Sequence, residues 1–336
     1  MTVVDRMHDL LLHLAGRVPD DFLASARQRL AERTVAETAD ALCLQLAERK
    51  VPVTIAQAGL LSELVDDSAS AVFSGIPIRD DQPALEWLFA EQPETPEQPG
   101  TPEQPGTPEQ PAAETEATTA ALIAVLSGNS AARGLWLSWR TPFRDGGTPL
   151  PVHVVEADDG LPALSAELHG ALAEHPGTPR IEVVGTDEVP GYQRAARANG
   201  ALVWAATEPP ELSVARVFDR VDPDGRPQFD QDHPQLTDQD ELQRVLDYLR
   251  AGEVLLSTAA TMDDVVRPDR GQVVPTTYRT DGVWLWPDAV SYYLEEYGLA
   301  PDEQFFAHIR AAGRPPEQLD AVSTHRALRH LLDPST

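Results

Sequence analysis

A chain of 336 residues with 42% hydrophobic side chains is long enough for two domains and can bury a core in each. Its 54 acidic against 26 basic residues give a net charge of −28, which repels phosphate backbones and anionic lipid and argues against nucleic-acid and membrane partners. A single cysteine, Cys43, excludes an intramolecular disulfide and the zinc patterns built on paired cysteines.

The first 65 residues read as four short helices. Val3, Met7, Leu10, Leu11 and Leu14 recur at helical spacing, and Gly16 stands where that helix should stop. Asp20 is placed to cap a second helix, with Phe22, Leu23, Ala26 and Leu30 along one face. Thr34 and Glu37 have the spacing of a capping box for a third, and a fourth follows Pro52. Cys43, between Leu42 and Leu44 on the third helix, reads as a buried, inert thiol. The run LLLHLAG is too short for a secretory or membrane-spanning segment, so a cytoplasmic protein is expected. A small all-α domain over residues 1–90 is the expectation.

Composition then shifts over 91–119. TPEQPG occupies Thr95–Gly100 and Thr101–Gly106, and TPEQP begins again at Thr107. Proline every few residues opposes helix and ladder pairing, and the glutamates repel one another. The expected result is a disordered Pro/Glu-rich linker.

Residues 120–336 read as a mixed α/β domain, an α+β mixed sheet ending in a hairpin and helices. Strands are expected at 134–139, 151–156, 180–185 and 201–206, with a helix at 161–175 and a shorter one near 190–199. A hairpin turns at Asp222–Gly225, and a helix over 238–250 has Thr237 in place to cap it. Asp281–Gly282 between β-prone runs signals a second tight hairpin, because glycine accepts positive φ. Val290, Tyr293, Leu294 and Tyr297 then form one helical stripe, closed by Gly298.

Eight aromatic residues fall between Tyr278 and Phe306. Burying each is worth on the order of 2–3 kcal/mol, so core packing is their first expected role. Trp284, Trp286 and Tyr292 are the rings that would line a binding surface if one exists there. The order YRTDGVWLWPDAVSYYLEEYG, preceded by VARVFDRVDPDGRPQFD, resembles uncharacterised actinobacterial proteins with a YRTDGxWxW…YYL module. Similar tails accompany TNT-type NAD-glycohydrolase toxins and other polymorphic-toxin loci. The resemblance covers roughly residues 160–312. It implies no catalytic residue, since the toxin's catalytic motif has no match, and it implies an immunity or accessory role by neighbourhood.

The acidic run holding Asp219, Asp222, Asp224, Asp230 and Asp232 fails the spacing of a calcium loop. His233 beside Asp232 lacks a nucleophile, and His325 and His330 lie five apart rather than on one helical face. Asp263, Asp264 and Asp269 around Arg267 and Arg270 read as an exposed, self-neutralising loop. No metal and no cofactor is expected. A pocket is expected at the strand ends near 185–194, where Asp187, Glu188, Tyr192 and Arg194 lie. The chain is therefore read as a non-enzymatic interaction protein, acidic and binding a basic partner protein. Its first alternative is an enzyme using Asp187, Tyr192, Arg279 and Asp281. Its second is a scaffold that self-assembles through the helical domain.

Overall fold

The computed structural model describes residues 1–32, 34–65, 70–93, 109–144, 147–314 and 316–333. The chain forms two compact units, 1–207 and 208–336. Its class is mixed α/β with helices leading at the N-terminus, as the sequence predicts. Among the described residues no helix is long and apolar enough to cross a membrane.

Unit 1 runs α1 (Val3–His13), α2 (Asp20–Ala31), α3 (Val35–Arg49), β1 (Val53–Thr54), α4 (Ile55–Leu64), α5 (Ser70–Phe73), β2 (Ile78–Arg79), β3 (Trp87–Ala90), α6 (Glu109–Leu126), β4 (Ala132–Pro142), β5 (Leu150–Ala157), α7 (Leu161–Ala171), β6 (Ile181–Val184), α8 (Gly191–Ala198) and β7 (Ala201–Ala205). The repeats at 94–108 lie outside the described residues. Residues 109–119, expected in the linker, instead open α6, whose Leu122 and Leu126 are buried. Pro111 falls in its first turn, where a missing N–H breaks no helical hydrogen bond. Capping boxes form at Thr2 with Asp5 and at Thr54 with Gln57. Thr34 makes none, because its hydroxyl donates back to the Arg29 carbonyl at 3.0 Å.

The sheet of unit 1 has the order β3-β4-β5-β6, with β7 pairing the first half of β4. β5 and β6 are parallel and joined through α7, the βαβ unit expected from the alternation. Leu135, Val155, Ile181 and Val183 meet Leu122 and Leu126 of α6 and Leu164 and Leu168 of α7. Alternate residues turn the other way toward α8. Arg197 lies over Trp136 at 5.7 Å, and Gln193 donates to Glu182 at 2.8 Å.

β6 is an edge strand, and its outward carbonyls are closed by side chains rather than by another strand. Arg27 of α2 donates to the Ile181 carbonyl and His8 of α1 to the Val183 carbonyl, each at 2.8 Å. The N-terminal helices thus complete the sheet. A helical domain ending at residue 90 and an α/β domain starting at 120 is not the observed division.

Unit 2 runs β8 (Ser213–Val214), β9 (Arg220–Val221), β10 (Pro227–Gln228), α9 (Gln239–Ala251), β11 (Glu253–Leu256), β12 (Thr261–Asp263), β13 (Gln272–Pro275), β14 (Tyr278–Thr280), β15 (Trp284–Pro287), α10 (Ala289–Tyr297), α11 (Glu303–Ala312) and α12 (Ala321–Leu332). Both expected hairpins form, β9–β10 and β14–β15, and Gly282 has φ of +92° in the second. Asp238, not Thr237, caps α9 by accepting from the N–H groups of Asp240 and Glu241 at 3.0 Å. β15 is central in the order β11-β14-β15-β8. Trp286 is fully buried, 5.0 Å from the Phe305 ring, and donates to the Leu249 carbonyl at 3.2 Å. A Cβ at Gly252 would lie 2.3 Å from the Trp286 ring, so glycine is needed there for close approach.

Candidate functional site

The cleft that unit 1 offers is built from four loops and helix ends. The turn after α1 supplies Gly16 and Arg17, the end of α3 supplies Arg49 and Lys50, and the stretch from Arg79 to Trp87 forms a third wall. The fourth is the start of α8, with Glu188, Tyr192 and Arg194. The volume is about 1200 Å³.

Its floor is aromatic and rigid. Trp87 donates from Nε1 to the Gly16 carbonyl at 2.9 Å, while Arg140 lies over its ring at 4.2 Å. Arg140 donates to the Tyr192 hydroxyl at 2.8 Å and to Asp20 at 2.6 Å, and Asp20 also takes Arg180 at 2.6 Å. The edge of Tyr192 meets Phe89 with centroids 5.0 Å apart. Gly16 has φ of +73°, and a Cβ there would come within 2.5 Å of Trp87 and 2.8 Å of Tyr192. Conformation and space both demand glycine.

Cations outnumber carboxylates in the lining of the cleft. Arg17, Arg49, Lys50, Arg79 and Arg194 line it against three carboxylates, Asp9, Glu86 and Glu188. None of the five cations has a carboxylate within 4.0 Å among the described residues. Arg17 is instead held by the Pro52 and His13 carbonyls, Arg49 by Gln45 at 3.2 Å and Lys50 by the Gly75 carbonyl at 3.3 Å. In a chain with twice as many acids as bases, unpaired cations gathered at one opening make a local field suited to anions. Lys50 also has φ of +54°, the left-handed region that a lysine enters at a cost.

The expected pocket near 185–194 is thus present on one wall, but its residues divide. Tyr192 and Arg194 line the cleft; Asp187 is exposed and does not. Burial pushes the Tyr192 phenol well above its ordinary range, so it is a neutral hydroxyl held by Arg140. Arg279 and Asp281 belong to unit 2 and serve different partners there. Arg279 pairs with Asp288 at 2.7 Å and donates to the Arg250 and Gly252 carbonyls. Asp281 meets Tyr248 and His308. Asp187 and Tyr192 belong to unit 1, and Arg279 and Asp281 to unit 2.

Trp284, Trp286 and Tyr292 likewise do not share an opening. Trp284 stacks on Phe305 at 5.1 Å, Trp286 is buried, and Tyr292 donates to Asp264 at 2.9 Å. Asp264 corrects the expectation of an exposed loop, because its residue is 0% exposed. Its carboxylate accepts from Tyr292, Tyr297 and the N–H groups of Val266 and Arg267, and these bonds hold its pKa below the usual range despite burial. His233 pairs with Asp219 at 2.9 Å rather than with its neighbour Asp232, and its other nitrogen meets the Ala300 carbonyl at 3.0 Å. Cys43 is buried, and burial pushes its thiol up to about 11. Among the described residues no group of three His, Cys, Asp or Glu is placed to hold a metal ion.

Sequence reasoning missed Arg17, Arg49, Lys50, Arg79 and Trp87. They come from separate loops that only the fold assembles, and the one signal available was Lys50, the sole lysine of the chain. No protein-family model, curated protein or solved structure matches this chain.

Proposed function

We propose that this is an interaction protein whose unit 1 cleft binds an acidic segment of a partner protein. The observation that carries the reading is the set of five cations, without carboxylate partners among the described residues, around an aromatic floor. The volume of about 1200 Å³ exceeds what a small ligand fills and suits several residues of extended chain. Trp87, half-buried and fixed by its bond to the Gly16 carbonyl, supplies contact area at little entropic cost. An immunity or accessory role belongs to the same proposal and rests on the sequence resemblance, and a cytoplasmic location is proposed with it.

The second reading, a basic partner drawn to the acidic exterior, is favoured by the net charge of −28. Calorimetric titration of the full chain with hexaglutamate and, separately, hexalysine distinguishes the two. Saturable, salt-weakened binding of hexaglutamate supports the cleft. Binding of hexalysine alone would replace that reading with the basic-partner one. Self-assembly through the N-terminal helices is less well supported, because Met7, Leu10, Leu11 and Leu30 are already buried within unit 1.

A further inference from the structure

Tyr248, Asp281 and His308 converge in unit 2 from α9, the β14–β15 turn and α11. Both oxygens of Asp281 are fixed. Oδ1 accepts from the N–H groups of Val283 and Trp284 at 2.9 and 2.7 Å. Oδ2 accepts from the Tyr248 hydroxyl at 2.5 Å and lies 2.6 Å from His308 Nε2. A carboxylate with these donors keeps the imidazole proton on Nε2, which leaves Nδ1 as the basic nitrogen. Burial and the bond to Asp281 hold the Tyr248 phenol protonated. The imidazole ring is nearly parallel to Phe305 at 6.5 Å and tilted against Trp284 at 6.1 Å, so its plane is set.

All three residues line a cavity of about 480 Å³. Val283 and Leu319 give it apolar walls, and Arg314, Glu317 and Asp320 stand at its rim, with Arg314 paired to Glu317 at 2.5 Å. With Glu317 offset by Arg314, the rim carries little net charge and admits a neutral ligand. A histidine oriented by a buried carboxylate beside a cavity is the arrangement general-base catalysis needs, and among the described residues its Nδ1 has no hydrogen-bond partner.

We infer that His308 is the catalytic base of a hydrolytic site in unit 2, positioned by Asp281 and Tyr248, that acts on a small neutral ester. A water against His308 gives its proton to Nδ1 as its oxygen forms a bond to the ester carbonyl carbon, and the carbonyl π pair moves onto oxygen. When that pair returns, the bond to the leaving oxygen breaks with its electrons. The leaving oxygen takes the proton from Nδ1, which restores the neutral imidazole. Ester and water become acid and alcohol, and no other reactant is consumed. Asp281 offsets the imidazolium charge between the two transfers. The site is independent of the unit 1 cleft.

The test uses the full chain and p-nitrophenyl acetate. The parent should hydrolyse the ester with saturation, and His308→Gln, which can still donate to Asp281, should lower kcat/KM about 100-fold. Asp281→Asn should lower kcat about 10-fold with KM little changed. Loss of a merely structural contact would not confine the change to kcat. Equal rates for parent and His308→Gln, or a kcat unchanged in Asp281→Asn, overturn the inference. Should a variant fail to fold, carbethoxylation of the parent with mapping of the modified histidines decides. Loss of activity that tracks modification of His308 supports the assignment, and activity retained after His308 is modified overturns it.

Discussion

Arg27 and Ile181 are 154 positions apart, yet the guanidinium of one donates to the carbonyl of the other at 2.8 Å and closes an edge of the unit 1 sheet. The same guanidinium meets Glu182 at 2.6 Å, with side-chain exposures of 2% and 4%. Gln193, which holds Glu182 from α8, also donates to the Leu12 carbonyl at 2.9 Å. One buried network therefore ties α1, α2, α8 and β6 together.

Removing one member of such a pair leaves an uncompensated buried charge. Arg27→Met should destabilise unit 1 by about 3–5 kcal/mol, read as a fall in the urea midpoint. Adding Glu182→Gln to that variant should recover part of the loss, because the stranded charge is gone. A change near zero for Arg27→Met would mean that the helices do not complete the sheet.

Acid should loosen unit 1 in a defined window. His8, His153 and His169 are buried, and desolvation lowers each from 6.5 to about 4. Each works as a neutral donor: His8 to the Val183 carbonyl, His153 to Thr119 at 2.8 Å and His169 to the Ser165 carbonyl at 2.7 Å. Between pH 6.5 and 4 the unfolded chain binds more protons at these sites than the folded one. Stability is thus complete above 6.5 and falls as pH drops toward 4, by up to about 3 kcal/mol per histidine. Denaturation midpoints measured from pH 8 to 4.5 should decline below 6.5. A flat profile would contradict the buried neutral state.

Lys50 exchanges stability for charge. Its left-handed backbone ends α3, a place where glycine is unstrained. Lys50→Gly should raise the melting stability by up to about 1 kcal/mol and weaken hexaglutamate binding. Weaker binding without the gain in stability would contradict the strain; the reverse would remove Lys50 from the site.

The sequence made the elements legible and left their assembly hidden. Periodicity and turn residues found α1 to α4, the βαβ alternation and the Asp281–Gly282 hairpin, because those signals are local. The clustered aromatics were correctly given to the core, as Trp286 and Tyr293 show. The unit boundary was misread because side chains, not a pairing strand, join α1 and α2 to β6, and no pattern encodes that. Asp264 was misread for a similar reason, since its partners Tyr292 and Tyr297 lie a hairpin and a helix away. The cleft stayed invisible because its cations are scattered over nearly 180 positions and look individually like surface charge.

Affinity for hexaglutamate, compared between the parent and an Arg49→Ala, Arg79→Ala, Arg194→Ala triple variant, tests the central claim most directly. These side chains are exposed, so the fold should survive, and each is worth about 0.5–1 kcal/mol to an anionic ligand. The account expects affinity to fall about 10- to 100-fold, with a shallower dependence on salt. Equal affinity in parent and variant would contradict it.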